Sequence, residues 1–377
     1  MRYYDITITS QSTEGVSTLG LSTAGALSAA ASTNVVGTNS YGFTTGATNT
    51  GQVVRRWTSH PNGKFDPGAL NVEFDIPVAT YGNPIGMPSI LIEGVPLQDL
   101  LQAQQFTGMK FKMLGGMKAG LPLANPNQSG TIVQGQIFQS FGNWEGTEMT
   151  LDFVLNPGQY TSDNPGNIVL NWTAGQKLSD ALTQTLSVAF PGVAVTINIS
   201  DELVQSSDDP HRCGTLEELA QLLQDITKGH FFGPKYDGVH LSIQGGQISV
   251  WDDTYEASTI QLAFTDFVGQ PTWIQPNIMQ IKLVMRADIQ LGGTVKMPAG
   301  LQNKPGATLT SAAAMPSSLK YKSTFEGSFS VTEVRHIGNF RAPDGASWAT
   351  VVNCTPIPDS QGKVTLGPLQ VVGVGNG

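Results

Sequence analysis

The chain has 377 residues, long enough for two to four domains with cores of their own. Only 13% of residues are charged, about half the usual ~25%, while 43 Gly and 22 Pro describe a turn-rich β protein; so few charges also suit a surface largely covered by partners. A net charge of −9 excludes a wholesale nucleic-acid binder, and the sequence has no run of ~18 apolar residues that would span a membrane as a helix.

Residues 2–9 alternate from a Tyr-rich start and read as a strand, so no signal peptide is expected there. Residues 10–52 are Ser, Thr, Gly, Ala and Asn with scarcely a charge. The expectation is an insertion, either a mobile loop or an arm ordered by a neighbour. Strands resume at 53–57 and 70–77. Residues 89–101 read as a strand, a tight turn and a short amphipathic piece, and the alternation returns at 106–113, 132–139 and 148–155. Residues 1–158 are therefore expected to form one β-rich domain interrupted by the insertion. Trp144 falls in a turn between two of these strands, flanked by Gly142-Asn143 and Glu145-Gly146. It is either core under a loop or an anchor to a neighbouring subunit.

Residues 159–257 change character. A strand at 168–172 is followed by Leu178, Ala181, Leu182, Leu186 and Ala189 at helical spacing, stopped by Phe190-Pro-Gly192. A strand at 193–199 leads to a second helix. Thr215 is its expected N-cap, Glu217 and Glu218 favour its dipole, and Gly229 ends it. A hairpin follows, 239–243 and 247–251 joined through Gly245-Gly246. The expectation is a small α+β domain. It is acidic: residues 160–260 hold four Lys/Arg against thirteen Asp/Glu, 4 − 13 = −9. Residues 258–377 return to β, with strands at 260–264, 268–273, 278–285, 327–336 and 348–354, a Gly/Ala/Ser/Pro loop at 299–320 and a C-terminal tail. Residues 287–298 are expected to be a strand, a bend at Gly292-Gly293 and a second strand. Residues 281–377 carry nine Lys/Arg against five Asp/Glu, 9 − 5 = +4. An acidic and a basic block in one chain suit contacts between unlike surfaces.

Chemical signatures are sparse. Asp208, Asp209, His211 and Cys213 lie within six residues and offer carboxylate, imidazole and thiolate ligands, but no second cluster completes a metal site, and such runs are usually polar loops. Cys213 and Cys354 cannot define a disulfide framework and are expected to be reduced. Asp252-Asp253 and Glu217-Glu218 are adjacent pairs whose side chains diverge in regular structure, so neither makes an acid/base pair. Gly373-Val-Gly-Asn-Gly377 has no following helix and fails as a dinucleotide loop. The sequence has no Gly-x-Ser-x-Gly, His-Glu-x-x-His or Walker motif. Neither catalytic residues nor a cofactor is expected, and His336 is read as making a turn hydrogen bond.

One order of segments carries a family resemblance. It runs Gly269-Gln-Pro-Thr272, a long strand, Asp288 through Pro298, Val334-Arg-His-Ile-Gly338, then Trp348-Ala-Thr350. This resembles the second tube-like domain of baseplate hub proteins from contractile-tailed bacteriophages and of the late-control D family, and residues 86–158 resemble the first. The resemblance implies an α+β, mainly β chain: two tail-tube-like β-barrel domains, 1–158 and 258–377, flanking the α+β domain at 159–257. It implies a homotrimeric ring in the virion's tail baseplate, assembled in the host cytoplasm without stable membrane insertion. Such a ring would match the three-fold of the hub to the six-fold of the tail tube protein, seat a spike protein, contact other baseplate proteins and the tape measure, and let DNA pass through its lumen. The insertion at 10–52 departs from the family pattern, and without a needle repeat after residue 355 the spike is expected to be another chain. The alternatives are a receptor- or glycan-binding tail β protein and a cell-wall hydrolase. The hydrolase would need paired carboxylates or a metal.

Overall fold

The computed structural model describes residues 1–10, 51–78, 87–118, 128–160, 165–255, 257, 259–298, 325 and 327–358. Most of the segment expected to be an insertion or arm (11–50 of 10–52), the whole loop at 299–320 and most of the tail lie outside these residues. The fold class is α+β and mainly β, as the alternation predicts.

The amino-terminal β region holds β1 (Arg2–Thr9), β2 (Val53–Thr58), β3 (Asn71–Val78), β4 (Ser89–Glu93), a short helix α1 (Leu97–Leu101), β5 (Lys110–Met117), β6 (Gly130–Glu145) and β7 (Glu148–Asn156). Strand β3 shows why these segments are strands: Val72, Phe74, Ile76 and Val78 are buried while the residues between them are not. Then come β8 (Ile168–Trp172), α2 (Leu178–Ala189), β9 (Ala194–Asn198), β10 (Asp209–Cys213), α3 (Leu216–Thr227), β11 (His240–Gln244) and β12 (Gln247–Trp251). The carboxy-terminal β region holds β13 (Thr259–Gln261), β14 (Thr272–Gln275), β15 (Ile278–Val284), β16 (Thr294–Lys296), β17 (Ser328–Asn339) and β18 (Trp348–Pro356).

Among the described residues, thirteen strands from the two β regions join in one hydrogen-bonded sheet. The amino-terminal part runs β1-β5-β6-β7-β4-β3, with β2 outside β1. The carboxy-terminal part runs β13-β16-β17-β18-β15-β14. Leaving out β2, both read first, fourth, fifth, sixth, third, second in order of appearance. The repetition extends to detail. The β6–β7 ladder slips by one residue at Phe138, and the β17–β18 ladder slips at Thr332. Just before each slip the strand closes the same pair of bonds. Ile137 N–H donates to Met109 O (2.9 Å) and Ile137 O accepts from Gly108 N–H (2.8 Å); Val331 N–H donates to Gly293 O (2.9 Å) and Val331 O accepts from Gly292 N–H (3.1 Å). One pairing differs: β1 is antiparallel to β5, whereas β13 is parallel to β16.

The regions are not merely packed side by side. Val334–Asn339 of β17 pair antiparallel with Val78–Glu73 of β3, and one hydrophobic cluster runs through both regions. The middle segment has a core of its own, where Trp172, Leu178, Leu182, Leu186, Leu219 and Leu223 are buried. Its strands form two small sheets, β8 with β10 and β9 with β12 and β11. Helix α3 starts where its cap predicts: Thr215 Oγ1 accepts from Glu218 N–H at 3.1 Å. The turn between β11 and β12 uses Gly245 and Gly246 at φ +59° and +79°, the two positive values a type I′ hairpin demands.

Readings of the sequence are corrected at several places, and the strand read at 268–273 begins only at Thr272. Residues 209–213, read as a polar loop, form β10, because pairing with β8 supplies the ladder that their composition does not advertise. Residues 287–293 are not a strand. Ile289 and Leu291 alternate inward, but the backbone there is held by a side chain: the Gln244 amide accepts from Leu291 N–H (2.6 Å) and donates to its carbonyl (3.3 Å).

Candidate assembly surface

The β17–β3 seam shows what this fold does with an open strand edge. On β17, Val334, His336 and Gly338 face inward, and Arg335 and Asn339 face outward. Outside, the Arg335 guanidinium grips both carboxylate oxygens of Asp75, its Nε at 2.7 Å, and Asn339 Nδ2 donates to Glu73. Inside, an aromatic stack crosses the seam: Phe74 lies edge-on to Trp348 at 5.1 Å, and Phe340 contacts both Trp348 and Tyr4. Trp348 Nε1–H donates to Gly116 O (2.9 Å), tying β18 to β5. Gly338 admits this stack, since a Cβ there would sit 2.2 Å from Phe74. Arg2 completes the closure by donating to the main-chain carbonyls of Asn339 and Phe340 (2.7 and 3.0 Å).

His336 belongs to this seam. The sequence places it after a strand, in a turn; instead it lies in the interior of β17, buried, with Nδ1 at 3.0 Å from Thr350 Oγ1. The Thr350 hydroxyl lies 3.0 Å from the Arg286 carbonyl and accepts from Arg286 N–H (3.0 Å). With the hydroxyl proton spent on that carbonyl, Nδ1–H of a neutral His336 donates to the hydroxyl. Burial pushes its pKa down to about 4. Nearby, the buried Arg286 is held bidentate by Asp288 (2.7 and 2.6 Å), with Asp266 at 3.2 Å from Nη1.

The amino-terminal region carries the counterpart of this seam, and there the edge is open. Beyond the Phe138 slip, the far half of β6 has only β7 beside it among the described residues. Its inner face lies under α1: Ser140 Oγ donates to Ala103 O, and a Cβ at Gly142 would sit 2.6 Å from Leu100 O. Its outer face and tip are apolar and exposed. Phe138 is 40% accessible, Phe141 49% and Trp144 61%. Trp144 stands at the hairpin tip, its Nε1–H folded back onto Gly146 O at 3.0 Å, so it is not core under a loop. At the opposite end of the sheet β14 is the terminal strand, with Ile274 47% accessible.

The candidate ligands of the sequence take structural places. On β10, His211 Nε2 lies 2.7 Å from Asp209, Asp208 accepts from Ala174 N–H (2.8 Å), and Cys213 is buried in the middle core with its thiol pKa raised by burial. Among the described residues no three His, Cys, Asp or Glu side chains converge as metal ligands. Cys354 is buried too, its pKa pushed up to about 12 by burial, and both cysteines are free thiols. Asp252 accepts from the Tyr236 hydroxyl (2.9 Å) and Asp253 from Asp237 N–H (2.9 Å), so this adjacent pair serves loop and core hydrogen bonding. Glu218 accepts from Gly214 N–H (2.6 Å) at the start of α3. Among the described residues no helix is long and apolar enough to cross a membrane.

No family model matches the chain, and no curated protein matches it in sequence. Among solved structures it is similar to the Escherichia coli c3393 protein, described as a component of the type VI secretion system with structural similarity to the T4 bacteriophage tail proteins gp27 and gp5; identity is 11%, the TM-score is 0.43, and the match covers 78% of this chain and 75% of that one. It is similar to a tail protein from Neisseria meningitidis MC58, at 12% identity and a TM-score of 0.41, covering 78% and 94% of the two chains. It is also similar to a 43 kDa tail protein of prophage MuSo2 from Shewanella oneidensis, at 9% identity and a TM-score of 0.40, again covering 78% and 94%.

Proposed function

We propose that this chain is a structural hub of a phage tail baseplate, a homotrimeric ring that joins the hexameric tail tube to the central spike. The observation that carries the reading is the repeated strand order: one chain presents the same β arrangement twice, fused edge to edge through β17 and β3. A three-fold ring of such chains offers six similar faces, which is what contact with a six-fold tube requires. The sequence resemblance of residues 86–158 and 259–355 to tail hub domains supports the same reading. The acidic middle segment, with its separate core, would then stand outside the ring and meet other baseplate proteins. No catalytic step is part of this function.

Electron microscopy of the purified protein tests it: rings with three-fold symmetry and an open centre are expected. Light scattering should give about three times the 40.0 kDa chain mass. A stable monomer at micromolar concentration defeats the ring. Peptidoglycan release by the purified protein would favour the hydrolase instead, and glycan binding by a trimer without a channel the receptor-binding alternative.

A further inference from the structure

The three-stranded sheet β9-β12-β11 has two unlike faces. Along β12, Ile248 and Val250 enter the core of the middle segment, so Gln247, Ser249 and Trp251 point the other way. The parallel ladder with β9 sets Thr196 beside Ser249 and Asn198 beside Trp251, and the hairpin sets Gln244 beside Gln247. This second face looks onto residues 288–293 of the carboxy-terminal region, the segment that the Gln244 amide holds through Leu291. A cavity of about 150 Å³ lies between them, with Gln290 on its far wall and Tyr255 beside Trp251 in its lining. Trp251 is fixed in place: a Cβ at Gly292 would sit 2.5 Å from its Nε1, and the His240 ring lies 5.9 Å away. Tyr255, 41% accessible, is the freer of the two rings.

The lining selects a ligand by its chemistry. Among the described residues Asp288 is the one charged group in it, and Arg286 holds both of its carboxylate oxygens (2.7 and 2.6 Å). The lining therefore offers no basic side chain to an anion and no set of carboxylates to a cation. What it offers is side-chain amides and hydroxyls, which both donate and accept, beside two aromatic rings. Ser249 adds a sharper sign. The residue is only 7% exposed, and among the described residues its hydroxyl has no hydrogen-bond partner. A buried hydroxyl left unpaired is costly, and a ligand hydroxyl in the cavity would satisfy it. We infer that this cavity binds one neutral sugar residue, its hydroxyls bonded by Asn198, Gln247, Ser249 and Gln290 and the C–H face of its ring laid on Tyr255. A sugar suits the wall better than a nucleobase, because hydroxyls spread around a ring answer amides spread around a cavity. The site is built within one chain and does not rest on the ring proposed above.

Saturation-transfer NMR on the full chain tests it, with the methyl glycosides of glucose, galactose and N-acetylglucosamine as ligands. Transfer to the ring protons of at least one of them is expected. Tyr255→Ala and Gln290→Ala should abolish it. Ser249→Ala should weaken binding roughly fivefold, the loss of one hydrogen bond. Its thermal melting should stay at the wild-type value or rise, since the hydroxyl bonds nothing among the described residues. Trp144→Ala removes a more exposed ring that is not in the cavity lining, and the transfer should persist. No transfer to any of the three glycosides overturns the proposal, as does transfer to adenosine in their place. Transfer that survives both Tyr255→Ala and Gln290→Ala, or that Trp144→Ala removes, puts the sugar elsewhere and also overturns it. Binding should be the same whether light scattering finds one chain or three, so a failed ring leaves this result standing and a failed sugar test leaves the ring standing.

Discussion

The far halves of β6 and β17 occupy the same place in the repeated strand order and meet opposite fates. On β17, Val334–Asn339 are covered by β3, and the outward side chains are Arg335, Ile337 and Asn339, of which Arg335 and Asn339 bond to Asp75 and Glu73. On β6 the corresponding edge has no strand beside it among the described residues, and the exposed side chains include Phe141 and Trp144 beside the polar Asn143 and Glu145. A seam formed during folding can be locked by polar pairs that cost little when they meet water. A seam left to a later partner needs apolar area that gains by being covered.

The strongest way to break the comparison is to hollow out the closed seam. Trp348→Ala removes a side chain that is 2% exposed, stacks on Phe74 and Phe340 and bonds Gly116. A loss of about 3–5 kcal/mol is expected in chemical denaturation. A change below 1 kcal/mol would show that the seam is not part of the core.

The second test uses pH. His336 titrates near 4 in the folded chain against an ordinary value of 6.5, so between those values the unfolded chain holds more protons. Stability therefore falls as pH falls through that window, by an amount on the order of 3 kcal/mol in all. Denaturation midpoints measured from pH 7 to 4 should show the slope, and His336→Gln should flatten it. The corresponding position on β6 is Gly142, so the open edge contributes no such dependence.

Smaller effects sharpen the contrast. Arg335→Ala breaks an ion pair whose side chains are about half exposed, and screening by solvent limits the loss to roughly 0.2–1 kcal/mol, shrinking further in high salt. Trp144→Ala should leave the melting of the isolated chain within about 0.5 kcal/mol of wild type, since the ring is largely in water. Its effect should be seen in sedimentation as weaker association. A large loss of stability in the single chain would mean that Trp144 is packed after all.

Much of this architecture is legible in the sequence because it is local. Alternation in residues 70–77 locates β3, and Thr215 with Glu218 locates the start of α3. What is not legible depends on partners. Nothing in Asp209-Pro-His-Arg-Cys213 announces a strand until β8 is beside it. Ile289 and Leu291 alternate like a strand, yet a glutamine side chain takes the place of the ladder. Phe141 is hidden by a subtler device. Read with strict period two from Val133, it falls on the buried face; the extra residue at Phe138 turns it outward, and no composition signal marks that slip. The seam is the least legible of all, since no local pattern names a partner far along the chain.

That distance also governs how the chain must be made. Asp75 and Arg335 stand 260 residues apart. At ribosomal rates of 5–20 residues per second, β3 leaves the exit tunnel roughly 13–50 s before the strand that will cover it. For that interval the amino-terminal region has one naked sheet edge beside β3, and a neighbouring nascent chain is as good a template as its own unfinished end. Crowded polysomes would then select for slow encounter or for a chaperone on that edge. A transcript cut short before codon 328 would yield a protein with two sticky ends instead of a seam.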